Sequence, residues 1–178
     1  MLEEIQELLS GKEAEILKEI RLKKYIRYSL SHKFFEEENM FRELIFFLGK
    51  GASRFFASSF NPDIEEEFRR VKAKNLGNGV YGKISRKILD VLSNIKKISQ
   101  DEKGNYYFPW IYLFTKTGVC TLSYEDGGNN FQILMTEKQM AEFKRLLKSR
   151  KLGRFVDEIA LESQQVKRKI NKSKSKLK

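Results

Sequence analysis

Histidine, cysteine, proline and tryptophan are scarce in this 178-residue chain, which holds one His, one Cys, two Pro and one Trp. Any histidine base, triad or metal pair would rest on His32 alone, beside the apolar Phe34 and Phe35, so familiar hydrolytic and metal chemistry is not expected. Cys120 cannot make an internal disulfide, and no second Cys or His cluster exists to build a zinc site with it. Long apolar runs are missing too. None approaches the ~18 residues of a membrane span, and the opening MLEEIQELLSGKEAEILKEI is broken by charge every few residues, unlike a signal peptide. The expectation is a non-enzymatic protein without metal or cofactor, soluble and cytoplasmic or nucleoid-associated.

What is plentiful is positive charge, unevenly placed. The net charge is +11; residues 1–75 set 14 Lys and Arg against 14 Asp and Glu, residues 76–163 set 14 against 10, and residues 164–178 set 7 against none. A basic second half and tail point to a polyanionic partner, nucleic acid first. Lysine-rich solvated faces are the plainer reading of the same charge.

Helical spacing dominates the first hundred residues. Leu2, Ile5, Leu8 and Leu9 begin a stripe; Ser10 and Glu13 have capping-box spacing, and Ile16, Leu17, Ile20, Tyr25 and Ile26 continue the apolar face. A core helix follows with Phe41, Leu44, Ile45 and Leu48, stopping at Gly49 or Gly51. Asn61 and Pro62 begin another, burying Ile64, Phe68 and Val71. LGNGVYG marks a turn or hinge, and a helix with Ile84, Ile88, Leu92 and Ile95 on one stripe carries Lys83, Arg86, Lys87, Lys96 and Lys97 on its flank. From residue 104 the period changes to two. GNYYFPWIYLF, VCTLSYE and FQILM read as a three-stranded meander, with Cys120 on the side of Leu122 and Tyr124; Pro109 makes the first strand an edge or a bulged strand. Thr136 and Gln139 then cap a helix burying Met140, Phe143 and Leu147, with Lys138, Lys144, Arg145 and Lys148 outward. Phe155, Ile159, Val166 and Ile170 allow a last helix before a basic tail whose end is expected to be disordered.

The predicted fold is therefore α+β: about five helices packed on a three-stranded, or at most four-stranded, antiparallel sheet with a closing amphipathic helix. The segments are 1–28 as an N-terminal helical segment, 29–152 as the core domain, and 153–178 as a C-terminal helix and tail.

Tyr106, Phe108, Trp110, Tyr112 and Phe114 fall on one face of the first meander strand. Unpaired bases stack on aromatic rings at about 1–3 kcal/mol each within a basic groove that follows the phosphates. The expected site is Tyr106, Trp110 and Tyr112 as stacking rings, with Lys103, Lys116, Arg86, Lys87 and Lys97 meeting phosphates. A plain core role for the same rings remains open, as does mixed burial with Tyr and Trp exposed and Phe beneath.

FQILMTEKQMAEFKRLLKS adds a resemblance. A strand ending in aliphatic residues, capped by Thr and followed by an acidic residue, Gln, a large apolar residue and Leu-Lys spacing resembles the last strand and helix of the positive cofactor four family and of the purine-rich-element-binding domains; Phe131 to Lys148 carries the outline. The helix-rich architecture with a small sheet, an aromatic strand and a helical dimerisation segment is also similar to the archaeal single-strand-binding proteins called ThermoDBP. Both likenesses imply non-catalytic binding of single-stranded DNA or RNA with little sequence preference, and a homodimer through the terminal helices. Two other readings stay open: a winged-helix regulator of duplex DNA, with residues 83–98 as recognition helix and the following hairpin as wing, and an assembly protein using the aromatic strand as its contact patch.

Overall fold

The computed structural model of the chain describes residues 10–30, 38–58, 66, 68–71, 73–76, 79–98, 110–125 and 130–161. Helix α1 (Glu13–Lys23) leads into strand β1 (Ile26–Leu30), and α2 (Glu38–Gly49) into β2 (Arg54–Ser58). A short hairpin, β3 (Lys74–Asn75) and β4 (Val80–Lys83), precedes α3 (Arg86–Ile98). The meander β5 (Trp110–Phe114), β6 (Cys120–Glu125) and β7 (Asn130–Met135) is followed by α4 (Glu137–Ser149), a 3-10 helix at Gly153–Glu158 and β8 (Ile159–Leu161).

The α+β class stands, but the expected three- or four-stranded sheet does not: among the described residues eight strands form one antiparallel sheet in the order β3-β4-β2-β5-β6-β7-β1-β8. The meander is its middle; of the added strands β1 does alternate, with Ile26, Tyr28 and Leu30 against Arg27 and Ser29, whereas β2 does not. In β2 the last four of five residues are buried, so both faces are covered and period two disappears. Ile26, placed by spacing on the first helix, belongs to β1, because Lys24 turns into the left-handed region at φ 52° and ends α1 without a glycine. The expected capping box at Ser10 does not form either: Lys12 occupies the N-cap position with no side-chain cap. Ile159, read as helical, is in β8. The boundary expected after residue 28 falls inside β1, and β8 returns residues beyond 152 to the same sheet.

Each sheet face has its own core. On one face Phe55, Leu113, Leu122, Ile133 and Tyr28 form a continuous cross-strand row, covered by Met40, Phe41, Leu44, Ile45 and Leu48 of α2, Ile88, Leu89 and Leu92 of α3, and Met140, Phe143 and Leu147 of α4. The predicted apolar stripes of α2 and α4 are the ones buried; of the stripe predicted for α3, Ile88 and Leu92 are buried, Ile84 is half-buried ahead of the helix, and the Ile95 side chain lies outside the description. The capping box of α4 also forms, Thr136 Oγ1 accepting from the Gln139 N–H at 3.2 Å and Gln139 Oε1 from the Thr136 N–H at 2.9 Å. Phe68, from the helix expected after Pro62, stacks on Phe55 with centroids 5.6 Å apart.

On the reverse face the row Tyr81, Phe56, Tyr112, Ser123, Gln132 and Ser29 is aromatic over β4, β2 and β5 and polar over β6, β7 and β1. Phe56, Tyr112 and Phe114 are buried there, with Leu76, Tyr81, Trp110 and Cys120 packed against them. Gly79 brings main chain onto this cluster: a Cβ there would lie 2.5 Å from Phe56 Cζ and 2.7 Å from the Ala57 carbonyl oxygen. Cys120 is on this side and not with Leu122 and Tyr124, because a register shift after Leu113 pairs Phe114 with Cys120 and adds one residue to β6. Pro109 lies outside the described residues, but β5 is a central strand between β2 and β6, not an edge.

Candidate functional site

The two faces of β5 are both interior, which settles where its rings stand. Tyr112 is 9% exposed, stacks on Phe114 at 6.3 Å and 16°, and donates its hydroxyl to Glu125 Oε1 at 2.7 Å. Its role as an exposed stacking ring is therefore corrected: the phenol is core with its polar end satisfied. Trp110 is half-buried at the edge of the same cluster. Tyr106 and Lys103 lie outside the described residues, as does His32.

The basic residues expected to join these rings are dispersed. Lys116 is exposed at the β5–β6 turn, where it lines a groove of about 600 Å³ against α1 together with Lys18, Leu22, Lys23 and Thr117. The floor of that groove is polar and saturated. Thr115 Oγ1 donates to Glu19 Oε2 at 3.1 Å, and the Lys23 ammonium donates to Glu19 Oε1 at 2.6 Å, a bond that raises the Lys23 pKa. Glu19 thereby ties α1 to the sheet. On α1 Leu22, at the groove, is 72% exposed, and Leu17, turned away from it, 54%. Arg86 and Lys87 are exposed at the start of α3, and Lys97 is on the same helix near its end. Arg86 and Lys87 thus stand on the helix-bearing side of the sheet and Tyr112 on the other.

It is Arg86 that leads to an aromatic and cationic site. α2 lies between α3 and α4, and Phe46 and Phe47, outside its core stripe, are half-buried on the flanks. The Arg86 guanidinium sits 4.2 Å from the Phe46 ring centroid and that of Arg42 5.1 Å, within cation–π range. Phe47 packs on Phe143 of α4 at 5.1 Å, with the Lys50 ammonium 5.9 Å from its centroid. These rings and cations, with Leu89, Leu146 and Arg150, line a groove of about 520 Å³. Arg150 is brought over it by the C-terminal end of α4 and pairs with Glu43 of α2 at 3.4 Å; Asp90 of α3 pairs with Arg42 and with Arg86, each at 3.6 Å. Four cations face two carboxylates, so the groove is net positive.

Sequence reasoning found Arg86 and the basic outer face of α4, but not Arg42, Phe46, Phe47, Lys50 or Arg150. The available signal was the pair Phe46–Phe47 itself: a helix that already buries Phe41, Leu44, Ile45 and Leu48 has two more rings than its sheet-facing stripe needs.

Among the described residues no three His, Cys, Asp or Glu side chains come together as a metal cluster, and no helix is long and apolar enough to cross a membrane. No family model, no curated protein and no solved structure matches the chain.

Proposed function

We propose that this protein binds single-stranded nucleic acid, DNA or RNA, on its helical layer, with the groove of Phe46 and Phe47 taking an unpaired base and the surrounding cations meeting phosphates. The observation that carries this reading is the stacking of two guanidiniums on Phe46 at the wall of a net-positive groove. Arginine planes and aromatic rings are surfaces on which bases stack without regard to sequence, and adjacent ammonium and guanidinium groups satisfy the backbone. A recessed aromatic wall is open to an unpaired base and closed to one held within a duplex. The sheet aromatics expected to do this work are replaced by the rings of α2.

The winged-helix arrangement fits less well. Its would-be wing, the β5–β6 hairpin, lies in the middle of the sheet, each strand paired on both sides, whereas a wing has to project. The Arg86 and Lys87 end of α3 serves equally in the single-strand reading.

Titration with a fluorescent oligothymidine and with a duplex of equal length, at two salt concentrations, tests the proposal. Tighter, salt-steep binding of the single strand is expected, with Arg86→Ala lowering the log–log salt slope by about 0.7, the value for one lost phosphate contact to a single strand. Trp110 emission should stay unchanged, since Trp110 packs on the other side of the sheet. Equal or tighter duplex binding, or quenching of Trp110 on binding, would overturn it.

A further inference from the structure

The arginines of the groove are not held only by the rings. Asp90 uses both carboxylate oxygens, Oδ1 toward Arg42 of α2 and Oδ2 toward Arg86 one turn earlier on α3, each at 3.6 Å; Glu43 Oε1 reaches Arg150 across the α2–α4 gap at 3.4 Å. Charge-assisted pairs in forked geometry close to about 2.7–2.9 Å. These longer, single-point contacts hold each guanidinium near the groove without engaging its fork. Side chains of Asp90 and Arg42 are 42% and 41% exposed, so their pairing is in competition with solvent and with any anion that arrives.

We infer that Glu43 and Asp90 are internal competitors of the ligand: anions that occupy the places of phosphates and must be displaced by it. This rests on the proposed function. A monoanion or a lone nucleotide exchanges one weak ion pair for another and gains little. A strand with several phosphates displaces both carboxylates at once, because its second contact is intramolecular after the first. The acids thus set a threshold of affinity that a strand clears through its second, intramolecular contact and a lone nucleotide does not. Asp90 also keeps Arg42 and Arg86 over Phe46 in the free protein.

The test uses Glu43→Gln, Asp90→Asn and the double variant of the full chain, with oligothymidine, thymidine monophosphate and inorganic tripolyphosphate as probes. Each exposed pair removed should tighten oligothymidine binding by about two- to fivefold. In the double variant the oligomer gains from both removals and thymidine monophosphate from one at most, so the gain of the oligomer is the larger. A role confined to helix packing predicts the reverse, a lower urea midpoint with weakened or unchanged binding, and that result overturns the inference. If the unaltered protein ignores oligothymidine while tripolyphosphate binding tightens in the variants, the carboxylates act as inferred and the nucleic-acid reading fails. If no form binds either probe, both fall.

Discussion

Replacing Tyr112 separates the two roles that an aromatic strand can have. Its ring is 9% exposed between Phe56 and Phe114, at centroid distances of 6.0 and 6.3 Å, so Tyr112→Ala removes a packed aromatic from a closed cluster. Losses of that kind are about 3–5 kcal/mol, transfer and cavity contributions together. In a chain of this length that corresponds to a fall in Tm of roughly 6–20 °C. Tyr112→Phe keeps the ring and loses only the 2.7 Å hydrogen bond to Glu125, which retains the Ser123 hydroxyl at 2.9 Å. About 1.5–2 kcal/mol is expected there, the lower part of the range for hydrogen bonds to a charged acceptor. Urea and thermal unfolding followed by circular dichroism measure both, and oligothymidine affinity is measured on Tyr112→Phe, which stays folded. That affinity should be unchanged. A stable Tyr112→Ala protein with lost affinity would refute the reasoning, since it would make the ring a surface platform.

Burial pushes the Cys120 thiol up to about 12, well above its ordinary value near 9. The folded state then binds the proton more tightly than the unfolded one, so this contribution to stability is complete below pH 9 and is lost as pH rises toward 12. Urea midpoints of the parent protein should decline above pH 9, and Cys120→Ala should flatten part of that decline; identical alkaline slopes would remove the thiol from the account. Burial also raises Tyr124, whose contribution to the slope persists in the variant at higher pH. At the start of α4, Thr136→Ala should cost about 1 kcal/mol, or about 2–4 °C in Tm, by opening the capping box. No change in Tm would show the cap to be idle.

Legibility in the sequence followed the strength of local signals. The meander, α2, α3 and α4 are marked by unambiguous period and by a Thr-x-x-Gln cap; α2 and α4 appear where the spacing puts them, while α3 begins only at Arg86, with Lys83 in β4 and Ile84 ahead of the helix. β2 is hidden because Phe55, Phe56, Ala57 and Ser58 are all buried, leaving no polar face to alternate with. β1 carries a readable alternation, Ile26, Tyr28 and Leu30 against Arg27 and Ser29, but the helical stripe also runs on through Ile26, and the break falls at Lys24, a lysine in a conformation usually given to glycine. The side assigned to Cys120 failed at a bulge, which shifts register without any residue type that announces it. The candidate site was half legible. Charge on α3 and α4 can be read from spacing, but the packing of both helices against one flanking pair of phenylalanines is a tertiary fact.

The position of β1 has a temporal consequence. It pairs with β7 through Ile26–Met135 and with β8 through Leu30–Ile159, so a strand from the early part of the chain closes the sheet between two strands from the late part. On a ribosome, β1 emerges long before either partner and has to wait with an open backbone while α2, the β3–β4 hairpin and the meander are made. Such long-range pairing pays its loop-closure entropy before any contact returns it, which slows folding. The β5–β6–β7 meander can form first from neighbours, and β1 then docks on β7 as α4 settles over the junction. Until that moment the waiting strand is the segment most open to capture by a chaperone or by another copy of the chain.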